Sequence, residues 1–302
     1  MDHLIDALNS HFSAAITRLT HLRDGGCTSY VAQGEGGKYL VKLVPDAFRA
    51  TALRSADVLA RLAEAGFPAP RPVRARSGGP HAEIDGRLAM MFSFIEGREL
   101  DEGERLADVG ALTGRLHAAL EGFEGLLPAG RAFFIDRYLS QLAQKGYPDG
   151  KLSAFRAIGD ALWERVESLP RGFCHGDLHR GNLLVAPDGE IYLLDFDTAC
   201  LAFPMYDVAV MCDHTDYFAF RARGYGAAMA ALREFYRGYQ TRRGLTDREL
   251  AAFPDLIGVR HFQLQATILE IHGMNCVNEQ FIDRQLDWLE QWMAQCERRD
   301  RI

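Results

Sequence analysis

The spacing of apolar and polar positions changes character after residue 95. At the start, MDHLIDALNSHF alternates charged and apolar residues with the period of an amphipathic helix. Residues 28–44 then hold two short β-rich runs on either side of the glycine-rich GEGG, which predicts a hairpin. Pro45 and Asp46 supply a helix start, and AFRATALRSADVLARLAEAG keeps helical spacing until Gly66 and the PAPRP stretch stop it. HAEIDG and RLAMMFSFI predict two more strands joined by a turn at Asp85-Gly86. Beyond Glu96-Gly97, helical patterns dominate at 106–120, 133–144, 152–169, 218–242 and 256–272. One compact non-helical stretch, 172–198, interrupts them. The expected class is therefore α+β, with a small antiparallel-sheet lobe over 1–95 and a larger, mainly helical lobe over 96–302. IEGREL reads as the connection, and a cleft between the lobes is the natural place for a ligand.

Composition narrows the field without changing this picture. The chain has 302 residues, of which 48% are hydrophobic and 25% charged, enough apolar surface for one or two ordered cores. Its formal charge of 34 − 41 = −7 argues against a nucleic-acid partner held by phosphate neutralisation and mildly favours a neutral or cationic organic substrate. The six cysteines, at 27, 174, 200, 212, 276 and 296, form no CxxC pair and no zinc-like spacing, so they read as small buried hydrophobes of a reducing compartment. The N-terminus lacks a basic region followed by a long apolar one, and no run approaches the ~18 apolar residues of a membrane span. A soluble, cytoplasmic protein with no membrane partner is expected.

The chemistry concentrates in the non-helical stretch. FCHGDLHRGNLLV is followed by EIYLLDFD, in which LLV and IYLL read as buried strands joined by Pro187-Asp188-Gly189. Such a hairpin brings Asp177 and Asn182, before the first strand, toward Asp195 at the end of the second. Two carboxylates and an amide suit a magnesium ion carried by phosphate, because Mg2+ takes oxygen ligands and is held by only one or two protein groups. The remaining aspartate can orient an attacking hydroxyl.

D-x-x-x-x-N followed by D-F is the spacing of a kinase catalytic loop and its metal-binding aspartate, with HGD here in place of HRD and DFD in place of DFG. HGDLHRGN with LLDFD resembles the aminoglycoside phosphotransferase and choline kinase superfamily, a branch of the protein-kinase-like two-lobe fold that phosphorylates small-molecule hydroxyls. The resemblance implies ATP and Mg2+ as cofactors, Asp177 as the catalytic base or hydroxyl-orienting residue, and Asn182 and Asp195 as metal ligands. It makes His175 a brace of the loop and His179 a loop or substrate contact. Asp197 either supports the metal site or caps a turn, and Asp207 is expected to be an N-cap tying a helix to the loop.

On the nucleotide side, the resemblance makes Lys42 the contact to the α/β-phosphates; read alone, it would be a lysine snorkelling from an edge strand. Thr28 and Ser29, in the small-residue turn that begins at Gly25, either approach phosphates or belong to a plain flexible turn. Ser93 and Ile95 stand where the superfamily's hinge pairs its main chain with adenine. One departure is evident. Ser55 occupies the place of the helix glutamate that often pairs with the lysine, and Asp57 is aimed away from it, so the usual partner is absent or supplied elsewhere.

For the acceptor, Asp213, Asp216, Tyr217, Phe218, Glu270 and His272 mix carboxylates with aromatics and suit an ammonium-bearing alcohol. Trp288 and Trp292, at i,i+4, read as packing. The expected function is ATP-dependent transfer of phosphate to a small, cationic hydroxyl acceptor, such as an aminoglycoside, homoserine, choline or hydroxylysine. The alternatives are a Ser/Thr protein kinase and an inactive nucleotide-binding scaffold.

Overall fold

A computed structural model describes residues 1–299. The elements run α1 (Asp2–His11), β1 (Ile16–Arg23), β2 (Thr28–Gly34), β3 (Gly37–Val44), α2 (Arg49–Glu64), β4 (Pro72–Val73), β5 (Ala82–Ile84), β6 (Arg87–Ser93) and β7 (Arg98–Glu99). They continue with α3 (Leu106–Ala119), α4 (Arg137–Gln144), α5 (Asp149–Val166), β8 (Gly172–Cys174), β9 (Leu183–Val185), β10 (Ile191–Leu193) and β11 (Cys200–Ala202). Helices α6 (Pro204–Cys212), α7 (Arg223–Tyr239), α8 (Asp247–Ala251), α9 (Phe253–His272) and α10 (Glu279–Arg299) complete the chain. The class is α+β, as expected. Two compact units form, one from Met1–Glu102 with Arg180–Ala199 and the other from Gly103–His179 with Cys200 onward.

In the first unit, an antiparallel sheet is ordered β1-β2-β3-β6-β4, with β5 also paired to β6. The β2–β3 hairpin turns at GEGG, with Gly34 opposite Gly37. Strand β1 was not anticipated from periodicity, because it buries only Ile16 and Leu19 in its eight residues and so lacks an alternating pattern. Its pairing with β2 is also irregular at two points. Phe12, Val41, Ala89 and Met91 form part of a core under this sheet. Residues 98–99, expected to be plain connection, pair with β9 to give a second sheet ordered β10-β9-β7.

The second unit is helical apart from the two-stranded β11-β8 sheet. Helix α9 is buried along the whole of Phe253–Phe262, its charged Asp255 and Arg260 included, where it packs against α4, α5 and α6. Helices α3 and α7 cross at glycines. A β-carbon at Gly110 would lie 2.0 Å from the Phe235 carbonyl oxygen, and one at Gly238 would lie 1.7 Å from that of Ala107. No side chain fits at either position, so the backbones meet directly. Among the described residues, no helix is long and apolar enough to cross a membrane.

Candidate active site

Within the first unit, Lys42 projects from β3 and is only 9% exposed. Its ammonium lies 2.7 Å from Asp197 Oδ2 and 3.5 Å from Asp195 Oδ1. Burial by itself would lower the lysine's pKa, but the two carboxylates outweigh it and hold the group above its ordinary value. It is therefore a fixed cation. The partner expected from the helix comes instead from DFD: Ser55 is buried on α2, and Asp197 takes the lysine, as neither a mere turn cap nor a bystander.

Asp195 follows β10 in a left-handed backbone conformation, φ 60°. For a residue other than glycine that costs on the order of 1–2 kcal/mol, with aspartate among the more tolerant. The Leu194 N–H donates to the Asn182 carbonyl at 2.8 Å, closing the hairpin so that Asn182 and Asp195 reach one place. Both line a cavity of about 370 Å3, together with Lys42 and Ser29. Its apolar lining includes Leu40, Phe92, Leu184 and Leu194, and Ser93 and Ile95 also border it.

Thr28 does not line the cavity. Successive side chains of a strand point to opposite faces, so Ser29 turns inward while Thr28 turns to hydrogen-bond Asp24. At the expected hinge, the Ser93 N–H is already committed to the Arg71 carbonyl at 2.9 Å.

In the second unit, the loop carrying Asp177 is shaped by Gly176, whose φ of 83° favours glycine. The N–H groups of His175 and Gly176 donate to the Asp207 carboxylate at 2.6 and 2.9 Å. Asp207 is fully buried and meets His117 Nε2 at 3.0 Å, while His117 Nδ1 meets the Tyr239 hydroxyl at 2.8 Å. It is not the N-cap that was expected. Pro204 starts α6 three residues earlier, which leaves Asp207 inside the first turn, and its carboxylate serves the loop's backbone rather than its own helix.

The Asp177 carboxylate lies 3.3 Å from His179 Nε2 and 4.0 Å from Arg260 Nη2. Partial burial would raise its pKa, but the hydrogen bond and charge of His179, and then the charge of Arg260, prevail and hold the carboxyl below its ordinary value. His175 is fully buried, with Nδ1 3.4 Å from the Asp177 nitrogen, consistent with a brace.

A buried cation beside an anionic aspartate, a glycine-shaped loop tied to a helix, and a D-x-x-x-x-N hairpin carry the phosphotransferase pattern through the chain. Residues 23–245 match the model of the phosphotransferase enzyme family, APH. The chain belongs to that family. A homoserine kinase of Methylobacillus flagellatus is 28% identical over 242 residues, covering 77% of this chain and 72% of its own. Among solved structures, the amicoumacin kinase in complex with AMP-PNP, Ca2+ and Ami superposes with a TM-score of 0.76 at 20% identity, over 97% of this chain and 93% of that one. A microcompartment-associated aminopropanol kinase gives 0.72 at 18%, over 99% and 97%. These likenesses show the protein-kinase-like fold.

Sequence reasoning missed Arg260 in this phosphotransferase. It is only 8% exposed, and its Nε donates to the Tyr217 hydroxyl at 3.0 Å, which in turn donates to Asp213. Desolvation would lower the guanidinium's pKa, but Tyr217, Tyr206 and Asp177 raise it further. Asp213 moves the other way, pushed up by burial despite its hydrogen bonds from Tyr217 and Thr215. Of the expected acceptor residues, then, Asp213 and Tyr217 connect to Asp177 through Arg260. Glu270 instead pairs with Arg137 at 3.0 Å. Trp288 and Trp292 stack at 5.3 Å, and their indoles donate to the carbonyls of Asp216 and Pro254, which is the packing role expected of them.

Proposed function

We propose that this phosphotransferase moves the γ-phosphate of ATP to the hydroxyl of a small amine-bearing molecule, an amino alcohol or an aminoglycoside. The observation that carries the reading is Lys42, buried and charged between Asp195 and Asp197 in a cavity that Asn182 also lines. Residues 1–95 are the nucleotide lobe in this reading, and 96–302 carry the catalytic loop and the acceptor site. The cavity's apolar lining suits a planar base, with adenine meeting the main chain through the Ser93 carbonyl and Ile95. Lys42 and Ser29 face the phosphates; Thr28 has no part in this.

The oxygen donors of Asn182 and Asp195 fit a hard divalent cation that keeps phosphate and water as its other ligands. Among the described residues, no three His, Cys, Asp or Glu side chains gather as a metal cage, so the cation would rest on few protein groups. Mg2+ held there would neutralise charge developing on the β- and γ-phosphates. Asp177, kept anionic by His179 and Arg260, accepts the acceptor hydroxyl's proton. As it does so, the hydroxyl oxygen bonds to the γ-phosphorus and the bond to the β–γ bridging oxygen breaks, releasing ADP. The cationic character of the acceptor is supported by the acidic balance of the chain and by the homoserine and aminopropanol kinases it resembles. The inactive-scaffold alternative rested on the missing helix glutamate, and the carboxylates around Lys42 remove that ground.

The test is ADP release over a panel of amino alcohols and aminoglycosides, run beside Asp177→Asn. Turnover with at least one acceptor, falling about 10²–10⁴-fold in the variant, is expected. Equal background from both proteins would sink the reading.

A further inference from the structure

Asp195 has two cations on its carboxylate, and they differ in how they are held. Lys42, at 3.5 Å from Oδ1, is buried and also bound to Asp197 at 2.7 Å. Arg23, at 3.3 Å from Oδ2, has a side chain 63% exposed and makes this contact from the end of β1. Arg23 also lines the cavity that holds Lys42 and Asn182. The four charges form a neutral set, two aspartates against one lysine and one arginine.

A divalent cation on Asp195 must share that carboxylate with both. Like charges at such distances repel one another, so the less constrained cation gives way. Arg23 is that cation, since Lys42 has a second carboxylate and little room. The arginine side chain is long and its stem stays on the same strand, so a released guanidinium remains within reach of the cavity. A planar guanidinium with five donors matches phosphate oxygens better than any other side chain. After Asp24, which pairs with His21 at 3.2 Å, come Gly25 and Gly26; a β-carbon at Gly25 would meet nothing within 4 Å, and one at Gly26 would meet only the Phe48 ring.

We infer that Arg23 is a phosphate-binding residue that caps the metal-binding carboxylate of Asp195 until nucleotide arrives, then exchanges the carboxylate for the nucleotide's phosphates. The inference rests on the reading of this cavity as the Mg2+-nucleotide site. It adds a consequence of its own: metal alone has to displace Arg23 with no phosphate to receive it, so metal and nucleotide favour one another's binding, and by the same factor in both directions.

The experiment uses the full chain, with Mn2+ binding followed by electron paramagnetic resonance and ATP binding by calorimetry, for wild type, Arg23→Gln and Arg23→Lys. Because the side chain is exposed, neither variant threatens the fold. Arg23→Gln is expected to bind Mn2+ more tightly than wild type without nucleotide and to bind Mg2+-ATP about tenfold more weakly, a loss of about 1.4 kcal/mol. Arg23→Lys should fall between them. Unchanged Mn2+ affinity in Arg23→Gln, or Mg2+-ATP affinity within twofold of wild type, overturns the inference and leaves the kinase reading standing. A wild type that binds no Mg2+-ATP overturns both.

Discussion

Asp195 in the first unit and Asp177 in the second each lie beside an arginine, yet the two arginines are held in opposite ways. Arg23 reaches Asp195 at 3.3 Å with an exposed side chain, whereas Arg260 stands 4.0 Å from Asp177, buried and tied through Tyr217 to Asp213. The backbones differ as well. Asp195 itself takes the left-handed conformation, while at the catalytic loop Gly176 takes it and Asp177 is spared. A carboxylate destined to receive a metal needs a counter-ion that can leave. A carboxylate destined to receive a proton needs a neighbouring charge that stays put and keeps it ionised. On the proposed reading, in which Asp195 takes the metal and Asp177 the proton, the way each counter-ion is held, exposed or buried, separates the two uses of one side chain.

The sharpest way to break this comparison is to neutralise each aspartate in turn. Asp195→Asn should abolish Mg2+-dependent nucleotide binding in calorimetry, with turnover lost as a result, whereas Asp177→Asn should bind nucleotide within about twofold of wild type while losing about 10²–10⁴ in kcat. If both variants lost binding alike, the division of labour would be wrong.

A smaller effect is expected at the support of the loop. Asp207→Asn removes the buried charge that accepts from His175 and Gly176 and meets His117, and should destabilise the protein by about 2–4 kcal/mol in denaturant unfolding. A loss below half a kcal/mol would mean that the loop holds its shape without it.

The smallest change is a titration. The Asp177 pKa is depressed, so its ionised form contributes stability above the ordinary value of 3.8 and loses it as pH falls through the lower folded value. Arg260→Gln removes a cation that depresses it. The acid limb of the kcat profile should therefore move to higher pH, by about one unit for a charge at this distance. Tyr217→Phe leaves the cation in place but loosens it, and should move the limb less. An unmoved limb in Arg260→Gln would show that His179 alone sets the base.

Much of the fold was legible because its elements announce themselves through period and punctuation. The GEGG hairpin, the helix after Pro45 and the strands either side of Pro187-Asp188-Gly189 all appear where the pattern placed them. β1 escaped because a sheet-edge strand with two buried residues carries no alternation. Asn182 and Asp195 could be selected because they stand as polar groups beside apolar runs, and Lys42 through the family resemblance; all three line one cavity. The partner of Lys42 could not be read, since Asp197 reaches it from the other end of the chain rather than along a helix face. Arg260 escaped for a related reason, as its role depends on a tertiary approach to Asp177. A signal was present all the same: a lone arginine within PDLIGVRHF, a run whose every position is buried, has to be neutralised by something.

The crossing of α3 and α7 also limits how this chain can drift. Gly110 and Gly238 each leave room only for the other helix's main chain, and the residue after Gly238 is Tyr239, which leads through His117 and Asp207 to the loop of Asp177. A single methyl group at either glycine would push the helices apart and reach the loop without touching it. The loop of Asp177 thus depends on two segments far apart in the chain staying in direct backbone contact.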